Sequence, residues 1–341
     1  MPATRHALVR RLIAALALSA PLVAGPALQA EPLAVEAAAI DLNPERPDER
    51  RTGALTFMGG LRLSAAHPQF GGLSGFALLD RAEGRFVAVT DRAHWLAGRL
   101  RFDDRERLVG LEKVEIAAMR GLDGTPIPIE NHWNDAEAVE RLDDGHLLVA
   151  FERRHRLRRY PLGGALGAAG ADRDLALPAE LKKAPFNGGI EGFSVLGDGR
   201  LLLMSEDHYD ENGRHAGWIG RPGAWQPIGL SVMPPYKLTD LARLDDGSLL
   251  VLARRYSRLG GLGIMVRHIP ATEIKAGAVM RGRVLADMSP PLNVDNMEGI
   301  DWRPLADGRV QILLLSDDNF NVPPQRSLVL AFGWQPGTAM E

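Results

Sequence analysis

Asn187–Asp207 reads NGGIEGFSVLGDGRLLLMSED. An acid and a glycine lead into a short apolar run, Gly-Asp-Gly turns the chain, and a second apolar run ends in Ser-Glu-Asp. Two strand-like runs joined by a glycine-rich turn are the signature of a β-hairpin. A hairpin brings its end back beside its start, so Glu191 is expected at the same edge as Ser205, Glu206 and Asp207. The unit recurs as GLSGFALLDRAEGRFVAVTDR (Gly72–Arg92), DAEAVERLDDGHLLVAFERR (Asp135–Arg154), LTDLARLDDGSLLVLARR (Leu238–Arg255) and NMEGIDWRPLADGRVQILLLSDDN (Asn296–Asn319). The residues matched to Glu191 are Ser74, Glu137, Asp240 and Glu298, and successive matches lie 49 to 63 residues apart. Self-similar hairpin units at such a period imply the four-stranded blades of a β-propeller. The alternative is a chance run of hairpins in another β-sandwich, but five copies share the polar residue, the turn and the charged exit.

The segments before the units complete the blades. WQPIGLSVMPPY precedes Lys237 and VLADMSPPLNVD precedes Asn296, each as the outer strand of the preceding blade. By the same logic Ala54–Ala65 is the outer strand of a blade whose other strands are Met297–Arg303, Arg309–Ser316 and Ser327–Trp334. The termini then share the closing blade, which leaves no unpaired sheet edge. The fold expected is all-β, a five-bladed propeller, with six blades as the alternative if Gly110–Trp133 holds strands of its own. Its Gly121, Gly124, Pro126 and Pro128 read as a long loop, as does GGALGAAG at Gly163–Gly170. No helix beyond a turn or two is expected, and Pro178–Ala184 is the best candidate.

The chain has 341 residues, 37 Gly, 23 Pro and no Cys, with a formal net charge of −3. That balance argues against coating nucleic acid. The lack of Cys excludes disulfides and thiol chemistry. Arg5, Arg10 and Arg11 precede an apolar run from Leu12 to Ala24, and small residues lead to Ala30. These are the parts of a secretory signal, too short to span a bilayer well, with an uncleaved anchor as the alternative. The organisation expected is a signal peptide at 1–30, a linker at 31–53 with one strand in Leu33–Ile40, and a single propeller at 54–335. The mature protein is expected as a periplasmic or secreted bacterial monomer without a membrane span.

In a propeller the first strand of each blade lines the central channel. Ser74, Glu137, Glu191, Asp240 and Glu298 are therefore expected around one axis at one mouth. Carboxylates so close cannot all stay ionised unaided. A hard cation resolves this, and Ca²⁺ accepts several oxygen ligands in loose geometry. The alternative is that the acids cap backbone N–H groups or pair with arginines. The second-strand exits build an outer ring, with Asp91-Arg92, Glu152-Arg153, Glu206-Asp207, Arg254-Arg255 and Asp317-Asp318. Inter-blade salt bridges are one use for them. The other is an ester site in which Arg92, Arg153 and Arg254 hold an anionic substrate and Asp207 or Asp317 acts as base. RRHRLRR at Arg153–Arg159 crosses to the third strand and reads mainly as a solvated edge.

FGGLSGF at Phe70–Phe76, TDR at Thr90–Arg92, FERRHR at Phe151–Arg156, NGGIEGF at Asn187–Phe193, NMEGI and SDDN resemble the phytase-like family, a resemblance that implies esterase-like activity. The resemblance spans roughly Gly53 to Trp334 and implies a secreted or periplasmic propeller hydrolysing phosphate or carboxylic esters. The Ser/Glu ring is also similar to five-bladed calcium propellers of the calcium-activated nucleotidase and SdiA-regulated type. That likeness implies a calcium site at Ser74, Glu137, Glu191 and Glu298. Asp240 departs from the small hydroxyl expected at its position. The phosphate-binding surface of six-bladed phytases is not recognisable here. Two functions follow: a calcium-dependent hydrolase of anionic esters, or a non-catalytic periplasmic binding or scaffold propeller with a structural ion.

Overall fold

The computed structural model describes residues 30–257 and 261–337. The expected signal peptide, apart from Ala30, lies outside the described residues. Among the described residues the strands form five sheets, each headed by one of the recurring hairpins. Blade 1 runs Leu73–Asp80, Arg85–Thr90, His94–Phe102, Leu108–Ala118, and blade 2 runs Ala136–Arg141, His146–Phe151, Arg156–Pro161, Arg173–Leu175. Blade 3 runs Ile190–Val195, Leu201–Tyr209, His215–Arg221, Ala224–Leu230, and blade 4 runs Lys237–Arg243, Leu249–Ser257, Gly261–Ile269, Arg283–Met288. Blade 5 takes Met297–Pro304, Val310–Ser316 and Ser327–Trp334 from the C-terminal end and Leu55–Ser64 from the N-terminal end, paired through Ser327↔Leu63 and Val329↔Leu61. The ring is closed as expected, because each inner strand contacts the next and the fifth contacts the first.

Two expectations change. Gly110–Ala118, read as part of a loop, belongs to an eleven-residue strand, Leu108–Ala118. Its apolar Leu111, Val114 and Ile116 are interleaved with charged residues, and the glycines and prolines that suggested a loop all come after it. It completes blade 1 instead of adding a sixth blade. The expected linker is folded onto the ring. Glu36–Ile40 adds a strand outside Leu55–Ser64, and Glu31 pairs with Ile116 of blade 1. Pro178–Ala184 holds one short 3₁₀ helix, Ala179–Lys183.

The hydrophobic core is divided among the seams between blades. One cluster joins blades 1 and 2 through Val87, Val89, Trp95, Leu147, Val149 and Tyr160. Another joins blades 4 and 5 through Leu252, Val266, Trp302, Ile312 and Leu330. Similar clusters fill the 5–1, 2–3 and 3–4 seams. Each fully buried Leu, Ile or Val contributes about 1.5–3 kcal/mol, so the seams hold the ring shut and fix where the inner strands converge. That convergence is close. A Cβ on Gly75 would lie 2.8 Å from Ala138 Cα, and one on Gly299 would lie 2.6 Å from Phe76 Cβ.

Candidate functional site at the channel mouth

Every inner strand carries a β-bulge at the same place. The pairing skips from Leu73 to Gly75, Ala136 to Ala138, Ile190 to Gly192, Leu238 to Asp240 and Met297 to Gly299. The extra residues are Ser74, Glu137, Glu191, Thr239 and Glu298. A bulge re-aims the unpaired side chain, and repeating it around a ring gathers five side chains at one mouth. Four of the five residues expected at the mouth stand at the bulge; in blade 4 Thr239, and not Asp240, stands there. Thr239 is buried and its hydroxyl donates to Met297 O at 3.0 Å.

Asp240 occupies the next register position, which is Gly75, Ala138, Gly192 and Gly299 in the other blades. Where those residues let the neighbouring inner strand come close, Asp240 bonds to it. Its Oδ2 accepts from Ile300 N at 2.8 Å and its Oδ1 from Leu241 N at 2.8 Å. It lines a cavity of about 240 Å³ at the opposite end of the channel with Glu140, Asp301, Arg81 and Arg243.

The exits add a second tier. Asp91, Glu152, Glu206, Arg254 and Asp317 each follow the second-strand residue that pairs with the residue before the bulge, and Asp135 precedes the bulge of blade 2. Carboxylate oxygens of Asp135, Glu137 and Glu152 all lie within 4.8 Å of one another. Glu152 is anchored by its backbone neighbours, with Oε1 accepting from Gly188 N and from Gly189 N at 2.5 Å. Arg153 adopts φ +55°, a left-handed conformation costing about 1–2 kcal/mol in a non-glycine residue, and its Nε pairs with Asp135 Oδ2 at 2.7 Å.

Acids dominate the balance of charge. Burial first, then Asp135, Glu152, Glu298 and Asp91, raise Glu137 well above the usual carboxylate range. Burial, then Glu137, Glu152, Glu206 and Glu298, do the same to Glu191. Burial pushes Asp91 and Glu206 up to about 7 and Asp135 to about 6. Asp91 Oδ1 is buried without a hydrogen bond among the described residues. Glu298 is raised by burial and restrained by Arg254, whose Nε sits 2.8 Å from Glu298 Oε1 and whose Nη2 lies 3.5 Å from Glu206 Oε1. Among the described residues no ion pair reaches Glu137 or Glu191.

The remaining expected site residues divide. Asp317 is buried at this mouth, raised by burial and then Asp91, with Oδ1 accepting from Asn319 N at 2.6 Å. Asp207 stands further out, ion-paired with Lys237 Nζ. Arg153 and Arg254 reach the acids as ion-pair partners. Arg92 does not join them, because its guanidinium lies 3.4 Å from the Phe320 ring centroid and donates to Pro68 O at 3.2 Å. Thr239 and Asp135 were missed as site members. Aligning TDL in blade 4 with SGF, EAV, EGF and EGI on the following apolar residue would have selected Thr239.

Solved structures with similar folds include an endo-arabinase from Bacteroides thetaiotaomicron, 12% identical over 77% of this chain and 94% of that one, with a TM-score of 0.46. A luciferin-regenerating enzyme is 10% identical over 78% of this chain and 94% of that one, with a TM-score of 0.40. A protein of unknown function from Bacteroides caccae is 10% identical over 76% and 89%, with a TM-score of 0.32. No curated protein matches the chain. The hairpin units, their polar bulges and their charged exits fall inside residues 68–320, the span matched by the model described as esterase-like activity of phytase, and the chain belongs to that phytase-like family.

Proposed function

We propose that the protein is a cation-dependent hydrolase of anionic esters, phosphoesters foremost, acting at the acidic mouth. One observation carries this reading. Glu137 and Glu191 face a ring of other acids with no ion-pair partner among the described residues. Such an arrangement is costly unless protons or a cation neutralise it. The donors are carboxylate oxygens with hydroxyls beside them and no thiolate, a set that suits Ca²⁺ better than zinc. Glu137, Glu191 and Glu298 would hold the ion, with Asp135 and Glu152 at its edge and Ser74 on the same ring. Sites for calcium outside the cytoplasm work at about 10⁻⁴–10⁻³ M, which fits the secreted or periplasmic location proposed for the mature chain.

A bound cation would polarise the ester and acidify a water. The chain's own residues supply the rest. Arg254 and Arg153 sit beside the carboxylates and would turn to an anionic group once those carboxylates are held by the ion. Asp317 is the better placed base, since it shares the mouth with Asp91 and Glu298, whereas Asp207 is engaged by Lys237. Arg92, stacked on Phe320, serves the rim.

The second reading is a non-catalytic propeller with a structural ion. It is favoured by the same ion pairs, because arginines already engaged by Glu298, Glu206 and Asp135 are not free for substrate. Metal analysis of the purified protein and hydrolysis of a generic aryl phosphate with and without chelator separate the two. Turnover lost on chelation and restored by calcium supports the hydrolase. Chelator-sensitive melting without turnover supports the scaffold. A protein that neither contains nor binds a divalent cation rejects both.

A further inference from the structure

Blade 2 is built short on its outer side. Its fourth strand, Arg173–Leu175, has three residues where blade 1 has eleven. The missing sheet leaves a cavity of about 460 Å³ in the seam between blades 1 and 2, within the range of small-molecule sites, roughly 300–1,000 Å³. Its floor is aromatic and aliphatic: Trp95 and Tyr160 meet edge to face at 5.1 Å, beside Phe86 and Leu147, all buried. The Tyr160 ring lines this floor, while its buried hydroxyl is turned to the Arg158 guanidinium.

The rim is basic. Arg85, Arg99, Lys113 and Arg141 line it against Glu83 and Glu115. Arg85 and Arg99 are engaged by Asp80, Glu83 and Glu112, whereas no ion pair reaches Lys113 or Arg141 among the described residues. The cover is the Gly/Ala loop at 163–170. It is pinned at one end, where a Cβ on Gly167 would lie 2.6 Å from Ala117 Cβ and one on Gly170 would lie 2.6 Å from Gly121 O. At its other end Gly163 and Gly164 face open space. A cover fixed at one side and built of small residues at the other can adjust to what lies beneath it.

We propose that this seam is a second ligand site, separate from the mouth, for a small flat apolar molecule carrying one anionic group. The slot between two packed sheets and its aromatic floor select a planar body. Lys113 and Arg141 select the charge. The proposal does not depend on hydrolysis or on a cation at the mouth.

The probes are 8-anilinonaphthalene-1-sulfonate and its neutral relative N-phenyl-1-naphthylamine, titrated by fluorescence against the full chain. The sulfonate should bind one to one and more tightly than the neutral probe. Lys113→Glu combined with Arg141→Glu should weaken the sulfonate about tenfold and spare the neutral probe, the order expected when two exposed cations are reversed. Ala165→Trp, which fills the cavity from the exposed loop, should weaken both probes, with an unchanged thermal midpoint showing that each variant is folded. Equal affinity for the two probes, an unaffected double variant, or an Ala165→Trp protein that binds both as before would each overturn the proposal.

Discussion

At the far end of the channel, Asp301 accepts hydrogen bonds from Leu78 N at 2.6 Å and Trp302 N at 2.7 Å and meets Arg81 at 3.3 Å. Asp240 likewise takes two backbone N–H groups. At the mouth, Glu137 and Glu191 stand on the inner strands of blades 2 and 3 and face other carboxylates. Burial raises the pKa of all four, so burial alone does not distinguish them. The partners do. At the far end two acids latch blade 4 to blade 5 and blade 5 to blade 1. At the mouth a bulge lifts the side chain out of the ladder, away from backbone donors that could satisfy it. Acids of one residue class therefore serve the fold at one end and remain available for a ligand at the other.

The largest expected effect comes from exchanging the two roles by mutation. Asp240→Ala strands Ile300 N and Leu241 N in the interior, and each buried donor left without an acceptor costs about 1–3 kcal/mol. For two donors a loss of roughly 2–6 kcal/mol in urea unfolding is expected, with cation affinity per folded molecule unchanged. Glu191→Gln removes one of several crowded charges. The metal-free protein should be as stable as before or slightly more so, while calcium affinity measured by calorimetry falls at least about tenfold, the cost of one charged ligand. If Asp240→Ala abolished cation binding and Glu191→Gln did not, the division between the two ends would be refuted.

A pH series tests the same contrast with a smaller effect. Burial, followed by Asp135, holds Asp91 up to about 7; burial, partly offset by Arg254, holds Glu206 up to about 7; and burial, partly offset by Arg153, holds Asp135 up to about 6. Their folded values exceed their unfolded ones, so between the ordinary carboxylate range and about pH 7 the folded state retains protons that the unfolded state has lost. Stability then falls as pH rises through that window. In chelator the protein should lose on the order of a few kcal/mol between about pH 4 and pH 8, and saturating calcium should flatten the slope. Stability that instead rose with pH in chelator would mean that these acids have cationic partners in solution.

How much of this was legible in the residues follows from the same geometry. The five hairpins, their turns and the shared closing blade could be read because alternation and Gly-containing turns are local signals. The outer strand Leu108–Ala118 is masked by the turn residues after it, because Gly121, Gly124, Pro126 and Pro128 punctuate the same segment without lying in the strand. Glu137, Glu191 and Glu298 were legible because the bulge residue is an acid next to a small residue. Thr239 was not, because blade 4 carries its acid one place later and a one-residue slip turns a side chain to the other side of the strand. The pairing of Arg254 with Glu298 crosses from one blade to the next, and nothing local to either hairpin encodes it.

The slip at blade 4 supplies the finest test. Thr239 stands where three other blades place a glutamate, yet its hydroxyl donates to Met297 O at 3.0 Å and so ties blade 4 to blade 5. Thr239→Val keeps the shape and removes the hydroxyl. It should lower stability by about 1 kcal/mol, the net worth of one buried neutral hydrogen bond, and leave calcium affinity within about threefold, less than 1 kcal/mol. A loss of affinity as large as that of Glu191→Gln would place the hydroxyl among the cation's ligands and make blade 4 an equal member of the ring. An unchanged affinity with the expected loss of stability would leave blade 4 on the side of the latches, through Thr239 at the mouth as through Asp240 below it.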